Sequence, residues 1–426
     1  MNQGFFTAKQ TESKSRPDGK TYSCASCGLY KNCKTPKMEP YGEFKRKILV
    51  IGEAPGRTED QRGHPWQGKA GRLLQQTFHN ELRVDLFEAC LCVNAVNCHP
   101  EDNRTPTNYE VDCCRKNILQ IIEEKKPKLI ILLGGSALYS IIGHRWKKGL
   151  DGIMKWRGWT IPDQDFGCWI CPTFHPSFVL RGEREVETVW KNDLKQAIEK
   201  VDKSLPKYEE PEIQIIEDLI PLDEFLTLYV KTIKIVSNIS PNSKVFKSGV
   251  CAFDYETTGL KPHAKGHRIV CCAIATSANH CYVFIMPKSR LARQPFVDLL
   301  ANPDIGKIAH NMKYEEQWSK VRLRQPVKNW LWDSMQAAHI LDNRPGITSL
   351  KFQVYVRFGV VDYSSEISPY LKPASKDGNA INRIYELLEQ PGGEEKLLTY
   401  CGLDAIWTYR LAMLQMNEMN YDALPF

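Results

Sequence analysis

Short apolar runs alternate with amphipathic segments over the first half of the chain. Residues 47–51 (Lys-Ile-Leu-Val-Ile) and 128–133 (Lys-Leu-Ile-Ile-Leu-Leu) are such runs, and each is followed by glycine. Between them, residues 117–122 show the apolar spacing of a helix. Apolar strands that alternate with helices are typical of a parallel α/β sheet, in which functional loops lie at the carboxyl ends of the strands. We therefore predict an α/β domain with a parallel sheet in this half.

A charged stretch with two prolines, Pro206 and Pro211, divides the chain. A new strand candidate begins at Ile213, and further apolar runs at 250–254, 269–273 and 280–285 follow one another as in a meander. Such a succession is typical of a mixed sheet. We predict a first domain over residues 1–205, a linker over 206–212 and a second domain over 213–426, each long enough for its own core.

Composition narrows the class of protein. With 42% hydrophobic and 25% charged residues the chain is typical of a soluble globular protein, and its net charge of +7 permits a nucleic-acid partner without proving one. It contains no apolar run of roughly 18 residues and no signal-peptide pattern, so we expect a cytoplasmic protein that is not bound to a membrane. In that setting the 15 cysteines are expected to be thiols or metal ligands rather than disulfides.

Acidic residues in the second domain have the pattern of a metal site. Asp254 and Glu256 alternate along a strand and so share one face. Farther along, Asp404 follows Tyr400 by four residues, one helical turn. Two-metal hydrolytic sites hold divalent cations about 3.5–4 Å apart, and magnesium prefers oxygen ligands. The pattern predicts phosphodiester cleavage, and the alternative is a solvent-facing acidic pair at a strand end.

Three segments together resemble a known family. They are residues 254–260 (Asp-Tyr-Glu-Thr-Thr-Gly-Leu), 310–315 (His-Asn-Met-Lys-Tyr-Glu) and 400–404 (Tyr-Cys-Gly-Leu-Asp). In order and spacing they resemble the proofreading 3′–5′ exonucleases, most closely the exonuclease domain of family A DNA polymerases of the tyrosine subtype, over residues 211–426. The resemblance implies a ribonuclease H-like fold with a mixed sheet and two Mg²⁺ or Mn²⁺ ions.

The same resemblance implies a role for each site residue of the second domain. The set comprises Asp254, Glu256 and Asp404 as metal ligands, Tyr400 orienting the attacking water, Glu315 as a further catalytic acid, and Asn311 and Lys313 holding the substrate strand. The family usually has Asp where this chain has Glu315, and the longer side chain can still reach a metal-bound water. Glu316 is adjacent, but Glu315 follows an aromatic residue as the motif requires. Asp333 matches a commonly acidic position and is left out of the core set.

A glycine-rich segment follows the first strand of the first domain. Residues 52–56 (Gly-Glu-Ala-Pro-Gly) form a tight turn at which backbone can approach a ligand, which by itself fits any phosphate or sugar loop. Asn94, the stretch 103–107 (Asn-Arg-Thr-Pro-Thr), and the run 175–177 (His-Pro-Ser) with Arg181 after it complete a set. Together these residues resemble the iron–sulfur uracil-DNA glycosylases (families 4 and 5), most closely family 4, over about residues 20–200.

That family flips uracil out of DNA into a pocket and reads the edge of the base. The resemblance implies that Asn94 hydrogen-bonds the uracil edge and that Trp66 stacks on the base, where the family usually has Phe. It implies that His175 donates toward a uracil carbonyl and that Glu59 activates water. Glu53 is expected near the base, and Arg181 belongs to the substrate-binding set. Ala54 stands where another glycosylase family carries its water-activating Asp. Taken singly, Trp66 fits a core position and the His-Pro-Ser run fits a turn.

Cysteine spacing in the first domain also resembles that family. Cys24, Cys27, Cys98 and Cys114 match the ligands of its [4Fe–4S] cluster, with zinc as the competing occupant. Cys33 and Cys113 are neighbours that could displace Cys27 or Cys114, and the resemblance favours Cys114 because fifteen residues lie between it and Cys98, the usual gap in that family. The further Cys-x-x-Cys at 168–171 lies in an apolar run, so we expect both thiols to be packed.

These expectations combine into one predicted function. The chain is predicted to be a DNA replication or repair enzyme in which a uracil-DNA glycosylase-like domain is fused to a metal-dependent 3′–5′ exonuclease, acting on uracil-containing DNA and on 3′ ends. One alternative is an exonuclease whose first domain only binds DNA or uracil. Another is a scaffold with both sites decayed, against which the intact acids argue. Since 22 residues follow Asp404, we expect action beside a separate DNA polymerase, as in replication proteins of bacterial viruses.

Overall fold

The structure is a computed structural model that describes residues 22–146, 149–224, 227, 249–373, 375 and 379–421. It divides into two compact units. The first comprises the chain up to Tyr208 together with Tyr355–Asp362, and the second comprises Glu209–Val354 and the chain from Tyr363 onward. Each unit is built around its own sheet.

Described strands of the first unit form one sheet. They are β1 (Ile48–Gly52), β2 (Cys90–Asn94), β3 (Leu129–Leu133), β4 (Ile161–Asp163) and β5 (Cys168–Thr173). Their order across the sheet is β2-β1-β3-β5-β4, and every pair is parallel except β4 with β5. The parallel sheet predicted from the apolar runs is confirmed. All five residues of β1 and of β3 are buried, as a parallel sheet covered on both faces requires.

Helices cover this sheet. They are α1 (Cys24–Cys27), α2 (Arg57–Arg62), α3 (Lys69–Leu82), α4 (Leu86–Ala89), α5 (Asn108–Lys125), α6 (Gly135–Leu138), α7 (Ile153–Trp156), α8 (Pro176–Val179) and α9 (Arg184–Ile198). On one face, Phe78 of α3 and Trp190 of α9 pack with Val50 of β1 in a single core. Burying each such large side chain stabilises the fold by about 1.5–3 kcal/mol relative to exposure.

The second unit contains a mixed sheet. Its described strands are β6 (Glu212–Ile215), β7 (Gly249–Thr257), β8 (Ile269–Ala275), β9 (His280–Ile285), β10 (Ile305–Ala309) and β11 (Trp330–Asp333). Their order is β11-β10-β7-β8-β9-β6, with antiparallel pairs β7–β8 and β8–β9 and parallel pairs elsewhere. The predicted mixed sheet and its meander are confirmed.

The remaining described helices follow the same chain order. They are α10 (Gln294–Ala301), α11 (Met312–Trp318), α12 (Ser334–Leu341), α13 (Leu350–Phe358), α14 (Ser368–Leu371), α15 (Ile384–Leu388) and α16 (Gly393–Glu418). Apolar residues of α16, such as Ile406, pack on Ala252 and Ala273 of β7 and β8, while Phe253 faces a second core on the other side of the sheet. Among the described residues, no helix combines the length and hydropathy that crossing a membrane requires.

Candidate active sites

A cavity of about 460 Å³ opens in the first unit where parallel strands end. It is lined by residues that directly follow or end strands: Glu53 after β1, Asn94 at the end of β2, Gly134 after β3 and His175 after β5. The lining includes all seven non-cysteine site residues that the sequence predicted for this unit, namely Glu53, Ala54, Glu59, Trp66, Asn94, His175 and Arg181. The structure thus brings together residues far apart in the chain.

A glycine at the end of β1 allows two of these side chains to approach the strand. A Cβ atom on Gly52 would lie 2.5 Å from Asn94 Oδ1 and 2.7 Å from Trp66 Cζ2. Trp66 has a φ of +62°, a left-handed conformation that is uncommon for a bulky residue. Its ring centroid is 5.5 Å from that of His175, with the planes 33° apart. The cavity therefore has an aromatic wall beside an amide.

His175 is held in one tautomer. Its Nδ1 accepts the backbone N–H of Ser177 at 3.2 Å and lies 2.7 Å from Ser177 Oγ. An accepting Nδ1 carries no proton, so the neutral ring has its proton on Nε2. Burial, and then the positive charge of Arg181, lower the pKa of His175 to about 4. His175 is thus a neutral hydrogen-bond donor through Nε2 at ordinary pH. The sequence identified Ser177 within the motif but assigned it no role.

The two carboxylates of the cavity differ in their contacts. Glu53 accepts the hydroxyl of Ser136 at 3.2 Å, and burial raises the pKa of Glu53, while Ser136 and then Arg181 oppose that shift. Glu59 accepts the N–H of Gly68 through Oε1 at 2.7 Å, directly before helix α3. Glu59 therefore also ties the loop that carries Trp66 to helix α2.

Four cysteine thiols of the first unit are neighbours in space. Cys24 and Cys27 lie on α1, whose start is capped by a neighbouring serine, Cys98 follows β2, and Cys114 lies on α5. Burial raises the pKa of Cys114 to about 12, and the other three thiols add to that rise. Burial likewise raises the pKa of Cys98 to about 11, although its sulfur accepts the backbone N–H of Lys37 at 3.3 Å.

The spare cysteines lie close to this group, since Cys33 helps to raise the pKa of Cys98 and Cys113 helps to raise that of Cys27. Cys113 is 4.0 Å from Ser26 Oγ, and the Cys33 thiol donates toward the carbonyl of Tyr30 at 3.8 Å. Both Cys168 and Cys171 are buried in β5, as expected of packed thiols.

Acidic residues of the second unit converge as the alternation along β7 predicts. Asp254 and Glu256 on β7 and Asp404 on α16 each offer an oxygen within 4.8 Å of the others, and they are the one such group of three potential ligands among the described residues. Burial, and then mutual repulsion, raise the pKa of Asp254 and of Glu256 well above the ordinary values. Hard divalent cations prefer oxygen ligands, so the oxygens of these mutually repelling carboxylates are suitable ligands for such ions.

The remaining predicted residues of this site surround that group. Glu315 on α11 is 2% exposed, and burial, followed by the charge of Asp254, raises its pKa. Neighbouring Glu316 instead points to structural partners, accepting the N–H of Val327 and of the Trp330 indole, each at 3.1 Å. Asn311 directly precedes α11 with a φ of +75° and makes no side-chain hydrogen bond to the start of that helix, and Lys313 is exposed. Glu315 thus lies near Asp254, whereas Glu316 is engaged by the surrounding fold, and the role of Glu315 stays a prediction.

Tyr400 lies one helical turn before Asp404 on α16 and is 7% exposed. Burial, and then the charge of Asp404, raise the pKa of Tyr400. Two residues to which the sequence assigned no role complete the surroundings, because Lys351 and Tyr363 both contact Asp404 Oδ1. Lys351 lies within residues 211–426, the region that resembles the exonucleases, so its position along the chain was the available sign.

Asp333 serves the fold. Its Oδ1 accepts the N–H of Asn311 at 3.0 Å and of Met335 at 2.9 Å, and its Oδ2 accepts the N–H of Met312 at 3.0 Å. The carboxylate thus caps α12 and anchors the start of α11. These hydrogen bonds explain why the chain has an acidic residue at position 333 although Asp333 is not part of the metal-ligand group.

Two family models match the chain. One, described as the uracil DNA glycosylase superfamily, matches residues 39–200, and the other, described as a 3′–5′ exonuclease, matches residues 229–419.

Curated proteins are similar to the same two regions. The type-4 uracil-DNA glycosylase of Pyrobaculum aerophilum is 35% identical over 164 residues, which is 37% of this chain and 80% of that protein. That of Thermotoga maritima is 34% identical over 175 residues, 41% of this chain and 87% of that protein. A DNA polymerase of Bacillus phage SP01 is 23% identical over 325 residues, 72% of this chain and 34% of the polymerase.

Proposed function

Through its first unit the chain belongs to the type-4 uracil-DNA glycosylase family, and from that premise we propose a DNA repair enzyme with two activities. The first unit excises uracil from DNA, and the second removes nucleotides from 3′ ends with the help of divalent cations. The observation that carries the proposal is the cavity in which all seven predicted pocket residues meet. The carboxylate group on β7 and α16 supports the second activity.

In the first unit, the chain supplies stabilisation of charge rather than a strong nucleophile. Breaking the glycosidic bond leaves a sugar with oxocarbenium character and negative charge on the departing base. The Nε2–H of His175 donates to the uracil oxygen on which that charge develops, Asn94 bonds the edge of the base, and Trp66 stacks on its face. Arg181, on the wall of the cavity, holds the substrate.

Water activation belongs to one of the two carboxylates. We assign it to Glu59, whose Oε1 is oriented by Gly68, and we place Glu53 near the base. Glu59→Gln is expected to lower kcat for uracil release by about 100-fold, in the range typical of a lost general base. A larger loss in Glu53→Gln than in Glu59→Gln would reverse this assignment.

Cys24, Cys27, Cys98 and Cys114 hold a [4Fe–4S] cluster that pins the start of the chain to the sheet. This assignment rests on the spacing of the four cysteines and on the nearness of Cys24, Cys27 and Cys98 to Cys114, whose pKa they raise, and zinc is the competing occupant. The cluster supplies structural support, not hydrolytic chemistry.

In the second unit, Asp254, Glu256 and Asp404 hold two Mg²⁺ or Mn²⁺ ions. When bound, such ions supply an activated water and stabilise the leaving oxygen. Tyr400 orients that water, Glu315 completes the acidic set from α11, and Asn311 and Lys313 contact the substrate strand.

A labelled oligonucleotide with a single internal uracil tests both activities. We expect uracil release in the presence of EDTA, with loss in His175→Ala and in Asn94→Ala. Release of mononucleotides from the 3′ end should require Mg²⁺ or Mn²⁺ and vanish in Asp254→Ala. An absence of abasic product under all conditions would refute the glycosylase, and nuclease activity that survives in Asp254→Ala would refute the metal assignment.

The partner in this proposal is a separate DNA polymerase, in the cytoplasm of a bacterium infected by a phage that encodes the protein. The similarity to a protein of a Bacillus phage over 72% of this chain supports the phage setting. Co-purification of a polymerase with the tagged protein from infected cells, retained after nuclease treatment, is the expected result. A polymerase that is lost with the DNA would contradict direct binding.

A further inference from the structure

A lysine reaches into the acidic group of the second unit. Lys351, near the start of α13, forms an ion pair with Asp404 through Oδ1, and its Nζ lies 3.0 Å from Tyr363 Oη. The side chains of Lys351 and Asp404 are only 13% and 9% exposed. Because both charges are largely removed from solvent, salt screens the pair far less than it screens a surface ion pair.

Two tyrosine rings fix the position of this ammonium group. Nζ of Lys351 is 4.2 Å from the ring centroid of Tyr363 and 4.5 Å from that of Tyr400, both within the range of a cation–π interaction. Tyr363 Oη also donates to Asp404 Oδ1 at 2.6 Å. Lysine and phenol thus bind the same carboxylate oxygen, and Asp404 is held in one orientation by groups of the chain itself.

The positive charge of Lys351 affects how the acidic group can bind a metal ion. Asp254, Glu256 and Asp404 offer oxygens within 4.8 Å of one another, and the Lys351 ammonium lies against one of them. A divalent cation that enters the same group meets a like charge at close range, and it competes with two donors for Asp404 Oδ1. Loss of the ammonium charge therefore has opposite effects on the metal-free and metal-bound forms.

We propose that Lys351 is a positioning residue of the nuclease site, a built-in cation that keeps Asp404 in place without metal and weakens the affinity of the site for divalent cations. The inference rests on the proposed nuclease function and deepens it. Lys351 keeps the acidic group assembled while metal is absent, and it raises the metal concentration at which the site fills.

The test compares two full-length variants that each remove one lysine. Lys351→Met keeps the length of the side chain without its charge. The matched control is Lys396→Met, on the same helix as Asp404, which removes an exposed ion pair with Glu366 (3.2 Å). Mn²⁺ affinity is measured from the electron paramagnetic resonance signal of free Mn²⁺, and the melting temperature is measured in EDTA and in saturating Mn²⁺.

We expect Lys351→Met to bind Mn²⁺ at least about tenfold more tightly than the wild type, because a like charge near the ions is gone. We expect it to melt at lower temperature than the wild type in EDTA but not in saturating Mn²⁺. Lys396→Met should match the wild type in Mn²⁺ affinity. If Lys351→Met does not fold, Tyr363→Phe, which removes the phenol that holds Lys351 and Asp404 together, should also bind Mn²⁺ more tightly.

Unchanged or weaker Mn²⁺ binding in Lys351→Met would overturn the inference. An equal fall in melting temperature with and without Mn²⁺ would also overturn it, because a lysine with a purely structural role would cause that result. Failure of the proposed nuclease function looks different. In that case the wild type itself shows no Mn²⁺ binding that Asp254→Ala removes.

Discussion

At the scale of single residues, we expect the protonation state of His175 to decide the pH behaviour of the proposed uracil site. The ring is neutral because Ser177 occupies Nδ1 and because burial and Arg181 lower its pKa to about 4. A neutral donor suits a base that departs with negative charge, and it needs no proton from solvent. We therefore expect Ser177 to affect the rate of uracil release although it has no assigned contact with the base.

We expect the rate of uracil release under single-turnover conditions to show no histidine titration between pH 5 and 8. Ser177→Ala should lower that rate by about tenfold, because the ring loses the contacts that fix its tautomer and orientation. A wild-type profile that falls with an apparent pKa near the ordinary histidine value would contradict this account.

The same pKa makes a prediction about stability. Because the folded pKa of His175 is lowered, an unfolded chain takes up the proton first as the pH falls. The contribution of His175 to the free energy of unfolding is thus full above about pH 6.5 and is lost between about pH 6.5 and 4. Urea unfolding at pH 7 and at pH 4.5 measures it, with His175→Asn as the variant that should lose less stability on acidification.

At the scale of elements, Asp333 connects two helices through backbone hydrogen bonds. It caps α12 and holds the residues at which α11 begins, and α11 carries Glu315. A sequence pattern shows an acid at this position but not whether it faces metal or backbone, since that depends on where the partner N–H groups lie after folding.

Asp333→Ala should cost about 2 kcal/mol or more of stability, because it removes a helix cap and leaves the N–H groups of Asn311, Met312 and Met335 without their acceptor. Nuclease activity should fall with it, since Asn311 and Glu315 lose their anchor. Urea unfolding followed by fluorescence and a 3′-end assay measure both effects, and uracil release by the same variant is the internal control. Full stability in Asp333→Ala would contradict the capping role.

At the scale of the whole molecule, each unit has its own sheet, core and candidate site. Damage to one site should therefore spare the chemistry of the other. Cys98→Ser is expected to lower iron content and uracil release while leaving Mg²⁺-dependent nuclease activity within about twofold, because the ligands of the two sites belong to different cores. This expectation is checked by measuring iron content, uracil release and nuclease activity on one preparation of the variant. Equal loss of both activities would contradict the independence of the sites.

Apolar runs and strand alternation already predicted the parallel and mixed sheets and the acidic pair on β7, because short segments carry those local patterns by themselves. The seven predicted residues that line the cavity came instead from the resemblance to the glycosylases.

Only the tertiary structure decided which groups face those residues. The occupation of Asp333 by backbone N–H groups and the contact of Lys351 with Asp404 each join segments distant in the chain, whereas the tautomer of His175 depends on the local turn that places Ser177 against Nδ1. Likewise, Tyr355 belongs to the first unit, where its hydroxyl donates to Asp163 at 3.1 Å, although the surrounding sequence lies within the predicted second domain. Hydrogen bonds and ion pairs depend on distances of a few ångströms, and packing sets those distances only once the chain has folded.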